Sequence, residues 1–206
     1  MLVVGIDYSL TSPAICLYNT DDGEFSFENT KCHFLASKKM HEAYNDGTII
    51  ATNYPSKWTT DEGRYSALAL WAEFQIFNTL GARSNDELSV FIEGYAFGAS
   101  GKVFHIAENT AILKHMLYNA GVTYETVAPT AVKKFATGKG NANKDAMYDA
   151  FLAETGVDLM MSLSPKAGKV GSPVNDIVDA FYICKYGVSM QSSRRDDGAD
   201  APTPIS

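Results

Sequence analysis

The sequence lacks several features that define large classes of proteins. It has no apolar run of about 18 residues, so no segment is predicted to span a membrane as a helix. Residues 1–5 carry no basic side chain and Asp7 follows soon after, so we expect neither a signal peptide nor a transit peptide. The three cysteines are odd in number and lack CxxC spacing, which favours reduced thiols in an intracellular protein over disulfides or a zinc site.

Positive charge is scarce overall but concentrated in one segment. The formal net charge of −7 argues at first against a nucleic-acid partner. Residues 127–144 nevertheless contain no acid and four lysines, namely Lys133, Lys134, Lys139 and Lys144. A local basic strip matters more for binding phosphates than the total charge does. Taken alone, the strip is equally consistent with a solvated helix face.

Short apolar runs alternate with segments of helical periodicity, which predicts an α/β domain. Strands are expected over residues 2–7, 12–18, 25–34, 88–93 and 122–127. The first three would form an antiparallel meander that leads into βαβ units. This order predicts a mixed five-stranded sheet with helices on both faces.

Helices are predicted from apolar spacing, caps and breakers. They are expected over residues 64–80, 102–120, 129–138, 143–154 and 173–190. Residues 1–190 would then form a single domain. Residues 36–62 are polar and irregular, which predicts an insertion or mobile loop, and such loops are more often functional than idle. Residues 191–206 are predicted to be a disordered tail.

Four carboxylates stand at positions where acids are unusual. Asp7 and Glu93 each end a predicted strand, the place where open α/β sheets bind ligands. Asp176 and Asp179 are three residues apart on the last predicted helix and share one of its faces. Buried acids are costly unless a cation compensates them, and an oxygen-rich site suits magnesium or manganese. If that helix crosses the sheet, the four acids would converge to hold two metal ions about 4 Å apart, a site for phosphodiester hydrolysis.

Each feature also has a simpler interpretation. Asp176 alone could complement a helix dipole, and Glu93 could be an ordinary strand-end acid. The start Gly5-Ile6-Asp7, with Ser9 soon after, also resembles the opening of actin-like ATPases and sugar kinases. Those enzymes need a second glycine-rich phosphate loop, which neither residues 138–140 nor residues 168–171 supply convincingly.

Five segments carry a resemblance to a known family. They are Gly5-Ile6-Asp7, Phe91-Ile92-Glu93, Pro-Thr-Ala-Val-Lys-Lys at 129–134, Thr-Gly-Lys-Gly-Asn-Ala-Asn-Lys at 137–144, and Asn-Asp-Ile-Val-Asp-Ala at 175–180. In this order they resemble RuvC-type Holliday-junction resolvases, and the segment at 137–144 is the most specific. The resemblance implies a ribonuclease-H-like fold, a homodimer, and Mg²⁺ dependence with Mn²⁺ able to substitute. It also implies paired nicking of four-way DNA junctions to leave 5′-phosphates and 3′-hydroxyls.

The resemblance assigns roles by position. Asp7, Glu93, Asp176 and Asp179 match the family's metal-binding catalytic acids. Lys133 and Lys144 match residues that hold DNA phosphates, and Lys144 is also expected near the scissile phosphate, where it would offset developing charge. Lys134 and Lys139 would add to the electrostatic attraction of DNA. Tyr95 and Phe97 are candidates for the family's aromatic wedge, and ordinary packing explains them equally well.

The sequence departs from the family in two places. Asp7 is followed by Tyr8 and Ser9 where the family commonly has Pro-Gly, and the insertion at 36–62 is larger than bacterial members lead us to expect. These departures are more typical of phage or viral relatives. The expected location is the cytoplasm, which is that of the host cell if the protein is phage or viral. The resemblance implies branched DNA as the partner, and no membrane partner is expected. The departures also keep two alternatives open: a broader fork or flap endonuclease, and a catalytically inactive junction-binding protein.

In the family, the helix predicted over 102–120 contributes to the dimer interface.

Overall fold

The computed structural model describes residues 1–54, 58–81, 84–95, 103–164 and 166–196. Its strands are β1 (Leu2–Asp7), β2 (Ala14–Asn19), β3 (Thr30–Ala36), β4 (Ile49–Asn53), β5 (Leu88–Glu93) and β6 (Tyr124–Val127). Its α-helices are α1 (Asp61–Leu80), α2 (Val103–Asn119), α3 (Pro129–Thr137), α4 (Lys144–Thr155), α5 (Leu159–Leu163) and α6 (Val174–Asp196). The order of elements from β1 to α6 follows the predicted order, with one strand and one short helix added.

The strands form one mixed sheet in the order β4-β3-β2-β1-β5-β6. β1, β2 and β3 form the predicted antiparallel meander. β5 pairs in parallel with β1, β6 with β5, and β4 with β3. The carboxyl ends of all strands except β2 therefore lie at one edge of the sheet. The predicted α/β class with a mixed sheet is confirmed.

The sheet has six strands, whereas the sequence predicted five. The additional strand, β4, lies inside the segment predicted to be an insertion or mobile loop. Asp46 Oδ1 accepts hydrogen bonds from the backbone N–H groups of Thr48 and Ile49, at 2.9 and 2.6 Å, and so closes the turn that starts the strand. β4 was missed because it is a five-residue edge strand in which Ile49 alone is fully buried, so it shows no clear apolar pattern.

The last helix runs to Asp196, past the end predicted near residue 190. Arg194 forms two hydrogen bonds with the Glu125 carboxylate of β6, at 2.5 and 2.7 Å. A bidentate pair of this kind fixes the last turn on the sheet, and a polar sequence gives no sign of such a distant partner. Residues 197–206 of the predicted tail lie outside the described residues.

Helices cover both faces of the sheet, as predicted. Leu2, Val4 and Ile6 of β1 pack with α1 and α2, while Val3 packs with α6 on the opposite face. At Gly5, an added Cβ would lie 2.2 Å from the backbone nitrogen of Cys184 and 2.5 Å from the Ala180 carbonyl oxygen. Only glycine lets α6 lie this close to β1, and this contact sets how near the start of α6 comes to the end of β1.

The sequence predicted reduced cysteines and no membrane-spanning helix. Cys16, Cys32 and Cys184 are buried and form no disulfide. They are therefore core thiols, in agreement with the cysteine pattern. Within the ranges given above, the chain has no helix of the length and apolar character needed to cross a membrane.

Candidate active site

The four candidate carboxylates meet at the sheet edge formed by the ends of β1 and β5. Asp7 is the last residue of β1 and Glu93 the last of β5, and the two strands pair in parallel up to Ile6 and Ile92. α6 packs across β1, β2 and β5. Its first turns bring Asp176 and Asp179 close enough for their charges to act on Asp7.

The pKa values show how strongly these carboxylates influence one another. Burial raises the pKa of Asp7 well above its usual value, and the charges of Asp176, Glu93 and Asp179 raise it further. Burial likewise raises the pKa of Asp179 to about 7, with smaller contributions from Glu93 and Asp176. The ionised cluster is therefore unfavourable by itself, and a bound cation would stabilise it.

Asp176 is the most buried of the four acids, with 5% of the residue exposed. The Asn175 amide donates a hydrogen bond to its Oδ1 at 2.6 Å. Burial raises the pKa of Asp176, although the nearby hydroxyls of Ser172 and Ser12 favour the ionised form. Among the described atoms, Oδ2 has no hydrogen-bond partner of normal geometry. A buried carboxylate oxygen without a donor is costly, and a metal ion would satisfy it.

Two of the four predicted lysines lie beside the carboxylates. Burial raises the pKa of Glu93, and the charge of Lys133 on α3 offsets part of this rise. Lys133 likewise offsets part of the rise in the pKa of Asp179. Lys144, the first residue of α4, offsets part of the rise in the pKa of Asp7, Asp176 and Asp179. The basic strip therefore reaches the carboxylate cluster and has positive charge available for a phosphate there.

The segment between α3 and α4 fixes the position of Lys144. α3 ends at Thr137, and Gly138 after it adopts the left-handed conformation with φ +77°. Asn143 then caps α4, because its side-chain oxygen accepts the N–H group three residues further on at 2.9 Å. Lys134 and Lys139 are exposed on the same segment. All four predicted lysines therefore lie between α3 and the start of α4, and Lys133 and Lys144 are the two whose charges act on the carboxylates.

The remaining predicted contact residues are less clearly placed. Tyr95 is 45% exposed, and the Lys114 ammonium lies 5.5 Å from the centre of its ring. Phe97 lies outside the described residues. His105 of α2 has its Nδ1 2.8 Å from the Tyr65 hydroxyl, so it joins α2 to α1.

A polar contact that the sequence did not reveal holds the loop after Asp7. The Tyr54 hydroxyl donates to the Leu10 carbonyl at 2.7 Å. Arg64 donates from Nε to the Tyr54 hydroxyl at 2.8 Å, and its Nη2 also donates to the Leu10 carbonyl. This loop connects Asp7 to Ser12, and the Ser12 side chain lies beside Asp176. We call Tyr54, Arg64 and the Leu10 carbonyl the loop clamp.

The cluster has the ligand chemistry of a site for a hard divalent cation. Its four acids offer only carboxylate oxygens, the ligands that suit Mg²⁺ and Mn²⁺. Over the described part of the chain, no group of three or more His, Cys, Asp or Glu side chains is arranged to hold a metal ion. The donor set and the partnerless Asp176 oxygen nevertheless fit such an ion.

Comparison with solved structures identifies the fold. No family model matches the sequence, and no curated protein matches it. The chain has the ribonuclease-H-like fold of the RuvC type, as predicted. Two matching structures are of RuvC from Thermus thermophilus, one of them in complex with a Holliday junction substrate. In both cases 16% of residues are identical and the match covers 93% of this chain and 97% of RuvC, with TM-scores of 0.54 and 0.52.

The raised carboxylate pKa values predict that the metal-free protein loses stability as the pH rises. A carboxyl group with a higher pKa in the folded state favours folding fully below its unfolded pKa, and this advantage disappears as pH rises through the folded pKa. For Asp179 the window runs from 3.8 to about 7. We expect the free energy of unfolding in EDTA to fall by at least about 1 kcal/mol across it, or roughly 2–4 °C in melting temperature.

Thermal melts at several pH values, with EDTA and with Mg²⁺, measure this effect. Asp179→Asn should flatten the profile in EDTA, whereas the exposed Asp86→Asn should leave it unchanged. Mg²⁺ should restore stability most strongly above pH 7. A wild-type profile in EDTA that is flat, or that Asp179→Asn does not alter, would contradict the expectation.

Proposed function

We propose that this protein is a divalent-metal-dependent endonuclease that resolves four-way DNA junctions by paired nicks. The observation that carries the proposal is the convergence of four carboxylates and two lysines at one edge of the sheet, namely Asp7, Glu93, Asp176, Asp179, Lys133 and Lys144. The fold supports it, because one solved neighbour is RuvC in complex with a Holliday junction substrate. A fold alone does not define an activity, so the proposal depends on the site.

Each group at the site has a role in phosphodiester hydrolysis. The four acids would hold Mg²⁺, or Mn²⁺ in its place, as two ions in one site. Divalent metal bound there supplies water activation and stabilises charge on the leaving oxygen. Lys144 would offset charge that develops on the scissile phosphate, and Lys133 would hold the DNA backbone on the Glu93 side. Lys134, Lys139 and Tyr95 would contact neighbouring parts of the DNA, and the products would carry 5′-phosphate and 3′-hydroxyl ends.

A panel of DNA substrates tests this function. Wild-type protein is incubated with a synthetic four-way junction, a fork, a flap and a linear duplex, in Mg²⁺ and in EDTA. We expect nicking of the junction in Mg²⁺ only, at least about tenfold faster than of linear duplex, which corresponds to about 1.4 kcal/mol in the transition state. Equal rates on junction, fork and flap would instead indicate a broader branched-DNA endonuclease. Binding without cleavage in Mg²⁺ or Mn²⁺ would indicate an inactive junction-binding protein.

We further propose that the protein works as a homodimer through α1 and α2. The described residues of one chain form one carboxylate cluster, whereas paired nicks require two active sites. Leu70 and Phe74 of α1 are 57% and 62% exposed, and Phe104 and Tyr118 of α2 are 79% and 66% exposed. The two helices pack on each other, and exposed apolar groups on adjoining helices are typical of an interface between proteins.

Sedimentation velocity measures the dimerisation. We expect wild-type protein to sediment as a dimer and Phe74→Ser to shift the equilibrium towards monomer, because a half-exposed phenylalanine contributes roughly 1–2 kcal/mol when an interface buries it. Met161→Ser is the matched control, since Met161 is 71% exposed on α5. Monomeric wild-type protein at micromolar concentration would contradict the dimer, and equal dimerisation of all three proteins would contradict an interface through α1 and α2.

The loop clamp predicts a role for Arg64 in positioning the catalytic acids. We expect Arg64→Met to lower kcat for junction cleavage by roughly 10- to 100-fold, because a small displacement of a reacting group has an effect of this size. The junction Kd should stay unchanged, and the Mg²⁺ concentration for half-maximal cleavage should rise. Arg64→Lys, which keeps one donor, should recover part of kcat. A lower melting temperature with unchanged kcat and Mg²⁺ dependence would show a purely structural role.

A further inference from the structure

We propose a second surface that binds DNA phosphates, on the opposite flank of the carboxylate cluster from Lys133. It consists of Lys38 and Lys39, which follow β3, and of Lys166 and Lys169 in the loop before α6. We call these four residues the β3–α6 lysine surface. The inference rests on the proposed nuclease function and extends it, because it assigns a place to the DNA on the other side of the scissile phosphate.

Two contacts hold the segments that carry these lysines side by side. His41 is buried, with 2% exposed, and its Nε2 lies 2.7 Å from the Leu163 carbonyl oxygen. The Lys38 ammonium donates to the Ser172 carbonyl at 3.2 Å. Residues 38–41 are therefore attached to Leu163 at one end and to Ser172 at the other. The early part of the predicted mobile loop is thus fixed against the base of α6.

The charge on these segments is positive although the chain as a whole is acidic. Residues 164–172 contain Lys166 and Lys169 and no acid, while residues 37–44 contain two lysines and one acid, Glu42. All four lysine side chains are exposed. Clustered like charges repel one another, so a polyanion would stabilise this arrangement. Ammonium groups spread over two segments suit a chain of phosphates, because each lysine acts as a point charge without strict geometry.

The surface adjoins the carboxylate cluster on the side away from α3. β3 ends at Ala36 two strands from β1, whereas β5 and β6 lie on the other side of β1. Neighbouring strands are about 4.8 Å apart, so the end of β3 lies roughly 10 Å from Asp7 along the sheet edge. Ser172, to which Lys38 is bonded, also lies beside Asp176. A DNA strand that crosses the carboxylates would therefore meet lysines on both flanks.

The salt dependence of junction binding tests this surface. Two double variants, Lys38→Gln with Lys39→Gln and Lys166→Gln with Lys169→Gln, are compared with wild type by fluorescence anisotropy in EDTA, where cleavage does not interfere. Each pair should weaken binding severalfold and reduce the slope of log K against log salt by about 1–2. Lys31→Gln is the control, because Lys31 is exposed near the opposite end of β3 and should change neither quantity.

The outcomes separate this inference from the proposed function. Wild-type affinity and slope in the Lys166/Lys169 variant would overturn the surface, and an effect confined to the Lys38/Lys39 variant would reflect only the lost contact with Ser172. If wild-type protein still cleaves junctions in either case, the nuclease function stands. DNA binding that depends on both pairs, without any cleavage, would support the surface and overturn the nuclease. No binding of wild-type protein to any DNA would overturn both.

Discussion

Asp7→Asn should abolish Mg²⁺-dependent cleavage of a four-way junction while junction binding remains at least as tight. Asp7 is the acid on which the other three carboxylates act, and its pKa is raised well above the usual range. An amide there removes a charged ligand from the centre of the cluster. Metal assistance supplies several kcal/mol of transition-state stabilisation, so we expect a loss of at least about a thousandfold in rate. Binding should persist because the change also removes a negative charge that repels phosphate.

Single-turnover cleavage and anisotropy on the same junction measure the two effects of Asp7→Asn. Asp86→Asn, an exposed acid before β5, is the matched control and should behave as wild type in both assays. In EDTA at pH 8, Asp7→Asn should also melt at a higher temperature than wild type, because it removes a buried charge. Equal cleavage by Asp7→Asn and wild type would remove Asp7 from the active site.

Gly5→Ala should cause the largest loss of stability from a single methyl group. The added Cβ would lie 2.2 and 2.5 Å from backbone atoms of α6, which cannot rotate away as a side chain does. The helix must move off β1, and the start of α6 would carry Asp176 and Asp179 away from Asp7. We expect a loss of roughly 2–4 kcal/mol in the free energy of unfolding, or about 5–15 °C in melting temperature.

Thermal melts and cleavage at a temperature where the variant is folded measure both consequences of Gly5→Ala. The folded fraction should cleave more slowly than wild type, because the acids no longer converge correctly. Gly168→Ala is the control for stability, since an added Cβ there meets nothing within 4 Å. Equal melting temperatures for Gly5→Ala and Gly168→Ala would contradict the close contact between α6 and β1.

Much of this fold could be predicted because its central elements have strong patterns. β1 is a continuous apolar run that ends in an acid, and β5 is an apolar run interrupted only by Ser89 that also ends in an acid. The spacing of Asp176 and Asp179 places both on one helical face. The convergence of the acids also depends on Gly5, whose role requires knowledge of which helix crosses β1. A lone glycine in a strand indicates a close approach without naming the partner.

The features that could not be predicted depend on contacts between distant residues. Arg64 reaches the Leu10 carbonyl across 54 positions in the chain, and Lys38 reaches Ser172 across 134. Neither pair can be recognised from the sequence, because a lysine or arginine that bonds to a distant carbonyl cannot be distinguished there from one that does not. The last turn of α6 was missed for the same reason, because its partner Glu125 lies in β6. β4 was missed because a half-buried edge strand shows no clear apolar pattern.

If the four carboxylates form a divalent-metal site, Mn²⁺ binding followed by electron paramagnetic resonance should detect it. Wild-type protein at pH 8 should bind Mn²⁺, with weaker binding as the pH falls below about 7, where Asp179 takes up a proton. Asp7→Asn should bind Mn²⁺ much more weakly, and Asp86→Asn should bind as wild type does. The account is contradicted if wild-type protein binds no Mn²⁺, with or without junction DNA, or if Asp7→Asn binds it equally well.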